Sequence, residues 1–212
     1  MTDPGGTSRV ADLLDRARGP MGPEVEVDLG DDRPAYRELG RLLSALNGFF
    51  AFNAGVQVFR VGHDGWGPEL GRWNLPDTWK STYDGLADDL FCFGQDLLGA
   101  QFALDRSAAV VRFDAETGRR QRLGESLEDW AGWLLEDAAH SCGELALAWQ
   151  RGNRALEPDE RLIPRRLLVT GGTITLDNLT ATDAAAAMRI RGPIAQQVYG
   201  LPPGATVKIH GG

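Results

Sequence analysis

The clearest pattern in the sequence is a series of short apolar segments at residues 90–94, 101–105 and 110–114. In each segment, apolar residues alternate with polar or small ones. Such a period of two is typical of β-strands that turn one face toward a core. Because only short turns separate the segments, the pattern predicts an antiparallel meander.

A helix is predicted directly after this meander. Ser126 is a suitable N-cap, and Asp129 follows it at the spacing of a capping box. Leu127, Trp130 and Leu134 then recur at helical spacing. The chain therefore combines a sheet with a helix that can cover one of its faces.

Capping residues and turn chemistry predict the elements upstream. Thr7 or Ser8 can cap a first helix that runs to about Ala17, and Asp32 can cap a second helix that ends at Asn47. The strands that follow are 49–52 and 56–61, joined by a hairpin turn at 53–55.

Four motifs resemble the SUKH superfamily: Asp-Leu-Phe-x-Phe-Gly at 89–94, Gly-x-x-Phe-x-Leu-Asp at 99–105, Arg-Phe-Asp at 112–114 and Ser-Leu-Glu-Asp-Trp at 126–130. The helix, Asn-Gly turn and strand at 42–52 are similar to that family too. It includes a fungal regulator of cell-wall synthesis and many bacterial immunity proteins that neutralise secreted toxins. The resemblance covers residues 36–136 and implies a protein-binding role.

These observations predict an α+β fold, with a central, largely antiparallel sheet flanked by helices and a small C-terminal α/β extension. Charged and Pro-rich stretches suggest three parts: an N-terminal helix and linker at 1–33, a SUKH-like core domain at 34–150, and the extension at 151–212. The extension resembles one carried by some actinobacterial members of the family.

Within the extension we predict strands at 167–169, 173–176 and 206–209 and helices at 183–188 and 193–199. Arg151, Arg154, Arg161, Arg165 and Arg166 form a basic run, which we interpret as a solvated linker that pairs with nearby carboxylates. A nucleic-acid role for this run would need aromatic partners, which it lacks.

Composition narrows the classes of function. The net charge is −8, with 14 basic and 25 acidic residues in 1–150 against 8 and 5 in 151–212. Phosphate binding needs a basic surface, so we expect no nucleic-acid partner.

No apolar run is long enough to span a bilayer, and no signal peptide begins the sequence, so we expect a cytoplasmic protein without a membrane partner. The oligomeric state is left open.

The search for chemistry finds no catalytic constellation. The three histidines lack metal-ligand spacing, no phosphate-binding loop is present, and the serines have no base partner. Cys92 and Cys142 lie far apart, and Cys92 is expected to be a structural thiol. We therefore expect no enzyme, no metal and no cofactor.

The sequence instead predicts a binding protein, most readily an immunity protein that occludes a toxin. The alternative is a regulatory or scaffolding module that binds an endogenous protein or a small ligand. The candidate partner-binding residues are Trp66, Trp73, Asp88 and Asp89, since tryptophan serves interfaces and an acidic body can steer a basic toxin.

Overall fold

The structure, a computed structural model, describes residues 8–202. Its main element is a seven-stranded sheet in which each strand pairs antiparallel with the next one in sequence. The strands are β1 (Ala17–Arg18), β2 (Phe49–Ala51), β3 (Val56–Val58), β4 (Phe91–Asp96), β5 (Gln101–Leu104), β6 (Val110–Phe113) and β7 (Arg120–Gly124). The predicted α+β fold with a central antiparallel sheet is confirmed.

Helices flank this sheet, and a two-stranded sheet follows them. The helices are α1 (Arg9–Leu14), α2 (Pro34–Ala45), α3 (Leu70–Trp73), α4 (Leu127–Glu136), α5 (Ala138–Ser141), α6 (Gly143–Gly152) and α7 (Ala184–Val198). The second sheet consists of β8 (Glu160–Pro164) and β9 (Leu179–Asp183). Three 3₁₀ turns lie at Lys80–Tyr83, Leu168–Thr170 and Leu176–Asn178.

One face of the large sheet packs on α4. The rings of Phe93 and Phe102 contact Trp130 edge to face, with centroids 5.1 and 5.6 Å apart. A bulge in β4 makes this possible: Cys92 pairs with Ala103 and Gly94 with Phe102, so Phe93 is the extra residue. Burial of these large rings stabilises the fold through the hydrophobic effect.

The opposite face is covered by the turn Lys80–Tyr83 and by α7. The Tyr83 ring lies 5.2 Å from that of Phe113, and its hydroxyl donates to the Ala115 carbonyl at 2.8 Å. Met188 of α7 belongs to the same buried cluster as these rings. The C-terminal segment therefore contributes directly to the main core. The division of the chain at residue 150 stays a prediction about independent folding.

Two of the three predicted caps are confirmed. Ser126 and Asp129 form a complete capping box, and the Ser8 side chain accepts a hydrogen bond from the Ala11 amide. The cap at Asp32 is wrong, because Arg33 occupies the N-cap position without a side-chain cap. Arg33 precedes a proline, a context that favours the extended backbone of an N-cap over the helical one.

The short strands predicted at 167–169 and 173–176 are also wrong. The first segment is largely a 3₁₀ turn, and the strands are β8 and β9 on either side of this region. Arg161 lies inside β8 and is fully buried, so it does not belong to a solvated linker. The charged sequence around Arg161 was typical of a loop, and tertiary packing overrides that tendency.

The two helices predicted at 183–188 and 193–199 are one helix, α7, with Pro193 inside it. A proline inside a helix removes one backbone hydrogen bond without always ending the helix. The preceding Gly192 has no room for a Cβ atom, because the backbone of Thr82 lies against it. The strand predicted at 206–209 lies outside the described residues.

Candidate partner-binding surface

Trp66 is the most exposed large apolar side chain among the described residues, with 71% of its surface accessible. It lies in the loop between β3 and α3. Isolated apolar residues at a surface are common, but a tryptophan exposed to this degree adds more apolar area than any other side chain could. The side chain is thus accessible, and its role in partner contact stays a prediction.

The backbone of this loop is anchored although the indole is free. The Trp66 amide donates to the Met21 carbonyl at 2.9 Å, and the Met21 amide donates to the Gly48 carbonyl at 2.9 Å. Gly65 and Gly67 both have positive φ and lie against Met21, where a Cβ atom would collide. The loop therefore presents Trp66 from a fixed position.

Trp73 has a different environment from the one predicted. Only 4% of it is exposed, and its ring packs against Phe59 and Trp79 at 4.9 and 6.2 Å. Its Nε1 atom donates to the side-chain oxygen of Gln101 at 2.8 Å. The ring is thus part of the core, and its proposed contact with a partner is corrected to a structural role.

Asp88 and Asp89 lie in the turn before β4, as predicted, but they differ in environment. Asp88 is exposed, whereas Asp89 forms a salt bridge with Arg120 of β7 at 2.5 Å. Hydrogen bonding to Arg120 lowers the pKa of the Asp89 carboxyl. Asp88 is therefore the better placed of the two to attract a basic partner.

The structure does not bring Trp66 and this acidic pair together. Trp66 belongs to the loop that leaves β3, while Asp89 lies just before β4. Among the described residues, the side-chain hydrogen bonds and the salt bridge of Asp89 go to Arg120 of β7 and not to the Trp66 loop.

A groove adjoins the Trp66 loop. Its volume is about 490 Å³, and Gly67 and Pro68 of the loop form part of its wall. Its charged lining residues are of both signs: Arg60, Arg72 and Arg189, and Glu69, Asp77, Asp159 and Asp183. Leu75, which is 50% exposed, adds an apolar position at the same groove. Trp66, Leu75 and this groove are from here on called the loop surface.

A buried polar row beneath the C-terminal segment was not predicted from the sequence. Gln57, Gln95 and Gln101 are opposite each other on β3, β4 and β5, and all three are fully buried. Gln95 donates to the Gln57 side chain at 2.8 Å, and Gln57 also accepts from the Arg161 guanidinium. Alternate polar positions in otherwise apolar strands were the available signal for a polar layer between the sheet and β8.

The buried charge in this layer is Arg161. Its guanidinium lies over the Phe50 ring at 5.2 Å, and burial lowers its pKa to about 9. Because its Nε atom has no hydrogen-bond partner among residues 8–202, the polar layer is not fully satisfied within this part of the chain. Arg161 therefore links β8 to the sheet, although removing its charge from water costs free energy of desolvation.

The thiols and histidines show no catalytic geometry in the part of the chain that the structure describes. Burial raises the pKa of both Cys92 and Cys142 to about 12, which keeps the thiols protonated. The His140 ring stacks on Trp133, and His63 is exposed in the Trp66 loop. Across residues 8–202, no group of three or more metal-ligating side chains is assembled, and no helix could cross a membrane.

Comparison with known proteins gives a likeness in fold. A solved structure entitled "Crystal structure of Atu4351 from Agrobacterium tumefaciens" superposes with a TM-score of 0.52 at 16% identity, covering 85% of this chain and 86% of that one. At that identity the likeness concerns the fold alone. No model of a protein family and no curated protein matches the sequence.

Proposed function

We propose that this protein is a non-catalytic, cytoplasmic protein-binding module, and specifically an immunity protein that neutralises a bacterial toxin by occluding it. The observation that carries this proposal is the display of Trp66 on an anchored loop. Tryptophan is among the residues most enriched at binding hot spots. A loop held in place before binding also loses little conformational entropy when a partner docks.

Two further features support the same proposal. The SUKH-like motifs at 89–94, 99–105, 112–114 and 126–130 resemble a family with many immunity proteins. The net charge of −8 favours a basic partner, because complementary charge accelerates association. The exposed Asp88 contributes to this charge outside the loop surface.

The partner can be sought through Trp66 itself. The full chain would carry a photo-crosslinking phenylalanine analogue at position 66 in its native host, and the adduct would be identified by mass spectrometry. A second sample would carry the same analogue at Ile190, which is 53% exposed on α7 and outside the loop surface. We expect an adduct specific to position 66, formed with a secreted toxin.

The purified partner then gives a quantitative test. Trp66→Ala should weaken binding by about 2 kcal/mol or more if Trp66 is a hot spot, mainly through faster dissociation. Ile190→Ala should leave the dissociation constant unchanged, and the toxin should lose activity when wild-type protein is added. If the adduct forms with an endogenous regulator, the immunity role is refuted and the regulatory alternative is supported. Equal adducts at both positions would refute the loop surface as the binding site.

A further inference from the structure

A smaller cavity lies beside α7, where the chain after β8 crosses two turns of the large sheet. Its volume is about 240 Å³, and its walls come from the β4–β5 turn, the β6–β7 turn, the segment after β8, and α7. Pockets that hold drug-sized molecules measure about 300–1,000 Å³. The cavity is therefore suited to a smaller molecule.

Two buried groups of opposite charge line this cavity. Glu116 is 6% exposed and Arg191 is 2% exposed. Neither belongs to a salt bridge within residues 8–202. Glu116 accepts the Val169 amide at 3.0 Å, and Arg191 donates to the carbonyls of Ala187 and Leu98 at 3.0 and 2.5 Å. Their hydrogen bonds thus go to neutral groups, while the positive charge of Arg191 lies close enough to Glu116 to oppose the rise in the pKa of its carboxyl.

One nitrogen of the Arg191 guanidinium retains capacity to donate at the cavity. Its Nη1 atom gives one hydrogen to the carbonyl of Leu98, which lines the cavity, and carries a second hydrogen. The Nη2 atom lies instead against the Met188 sulfur at 3.7 Å and Gly99, which are not among the lining residues. The other arginine at the cavity, Arg112, already binds Asp96 at 2.7 Å. Arg191 is therefore the cation that an anionic group could reach.

Glu116 is the corresponding anion. Asp114 also lines the cavity, but its Oδ1 atom accepts from the Glu116 and Thr117 amides and from the Thr117 hydroxyl. Desolvation raises the pKa of the Glu116 carboxyl despite the nearby positive charge of Arg191, so a further cation in the cavity would stabilise its charged form. Glu116 is therefore the carboxylate in the cavity that gains most from a positively charged ligand.

The remaining walls are apolar. Leu168 and Ile174, on the segment after β8, line the cavity and are 36% and 49% exposed. A ligand with an apolar body would cover these side chains and gain hydrophobic stabilisation.

We propose that this cavity binds a small zwitterion with an apolar side chain, of the class of the aliphatic α-amino acids. The ammonium group pairs with Glu116, the carboxylate with Arg191, and the side chain packs against Leu168 and Ile174. The site is separate from the loop surface and does not depend on the proposed immunity function.

The test is calorimetric titration of the full chain with L-leucine, compared with isovalerate, isoamylamine and glycine. These three lack the amine, the carboxylate and the apolar body in turn. We expect L-leucine to bind, and each analogue to bind about tenfold more weakly or not at all. Absence of heat and of any chemical-shift change with L-leucine would refute the proposal, as would equal binding of isovalerate or isoamylamine.

Variants locate the binding. Ile174→Glu changes an exposed position, so it should fold normally and weaken L-leucine binding about tenfold or more. Leu75→Glu is the matched control, because Leu75 is equally exposed but lines the other groove. Glu116→Gln keeps the contact with Val169 and removes the charge, so it should also weaken binding. Unchanged affinity in Ile174→Glu would place any binding elsewhere and overturn the assignment, even if Glu116→Gln does not fold.

Discussion

The indole Nε1 atom of Trp73 donates a 2.8 Å hydrogen bond to the side-chain oxygen of Gln101. Gln101 is fully buried, so this bond satisfies a polar group that water does not reach. The same contact joins the α3 helix to β5 in the middle of the sheet. Trp73 is thus part of the core and is not available for contact with a partner.

Replacing Trp73 with Phe should therefore destabilise the protein. The change keeps an aromatic ring but leaves the Gln101 oxygen without its donor, which costs about 1–3 kcal/mol. Urea unfolding followed by circular dichroism would measure the loss. Trp66→Phe is the control and should change the unfolding free energy by less than about 0.5 kcal/mol, as is usual for exposed positions. Equal effects of the two substitutions would contradict the assigned roles.

The capping box of α4 gives a second prediction. The Ser126 side chain accepts from the Asp129 amide at 3.2 Å, and the Asp129 carboxylate accepts from the Ser126 amide at 3.1 Å. Ser126→Ala should lower the unfolding free energy by about 1 kcal/mol. Ser81→Ala, at an exposed position in a 3₁₀ turn, should have little effect. If thermal unfolding of the Ser126 variant matches the wild type, the box contributes nothing to stability.

Cys92 is fully buried and Cys142 partly buried, and this burial of the thiols predicts a loss of stability at alkaline pH. The pKa of each rises from its ordinary value of 9.0 to about 12 in the folded protein. Folding thus favours the protonated thiol. Its contribution to the free energy of unfolding is complete below pH 9 and disappears as the pH rises through 12. We expect the unfolding free energy to fall over this interval, and to fall less in Cys92→Ala.

Reaction with a disulfide reagent at about pH 8 checks the same property, because the thiolate is the reactive form. Folded protein should react much more slowly than protein unfolded in urea. Cys92→Ala leaves Cys142 as the remaining thiol and reports on it separately. Fast reaction of the folded wild type would show that the thiols are not shielded.

Capping chemistry and strand alternation were sufficient to predict strands β2 to β6 and α4, but not β7 or β1, where the first helix was expected to end. Both signals are local: Ser126 and Asp129 interact within one turn, and alternation at 101–105 predicts a strand, although the structure buries both of its faces. The burial of Arg161 and the formation of β8 depend instead on Gln57, which is distant in sequence. No local pattern specifies such a contact, so the C-terminal strands could not be located.

The candidate site was predictable to the same limited degree. Gly and Pro around Trp66 indicated a loop, and the exposure of Trp66 follows from that position. Trp73 has similar neighbours in sequence but, at the end of α3, is buried against Phe59, Trp79 and Gln101. Composition alone cannot separate the two tryptophans, because the difference arises from packing between distant segments. Glu116 and Arg191 meet at a cavity for the same reason.

Truncation tests the predicted boundary of the core domain. A chain of residues 1–150 should keep a cooperative urea transition at a lower midpoint, because removal of Ala184, Met188 and Ala195 uncovers part of the main core. Tryptophan fluorescence and circular dichroism should report the same midpoint. Absence of a cooperative transition would mean that residues 1–150 do not fold without the C-terminal segment.

Salt dependence tests the acidic character of the interface. Association with a basic partner should slow as ionic strength rises, since screening weakens steering over distances beyond about 10 Å. Asp88→Asn should slow association, while Asp89→Asn should slow it less because Arg120 already offsets its charge. Stopped-flow fluorescence would measure both rates. Rates that do not respond to salt or to either substitution would exclude this acidic turn from the encounter.

The two outer strands of the large sheet bear on how the protein behaves at high concentration. β1 has only two residues, and β7 carries Arg120 and Arg122, which form ion pairs with Asp89 and Glu125. A second copy adding a strand at β7 would bring arginines close to arginines, and at β1 it would find few backbone groups to bond. Both edge strands of the sheet thus disfavour edge-to-edge aggregation into fibres.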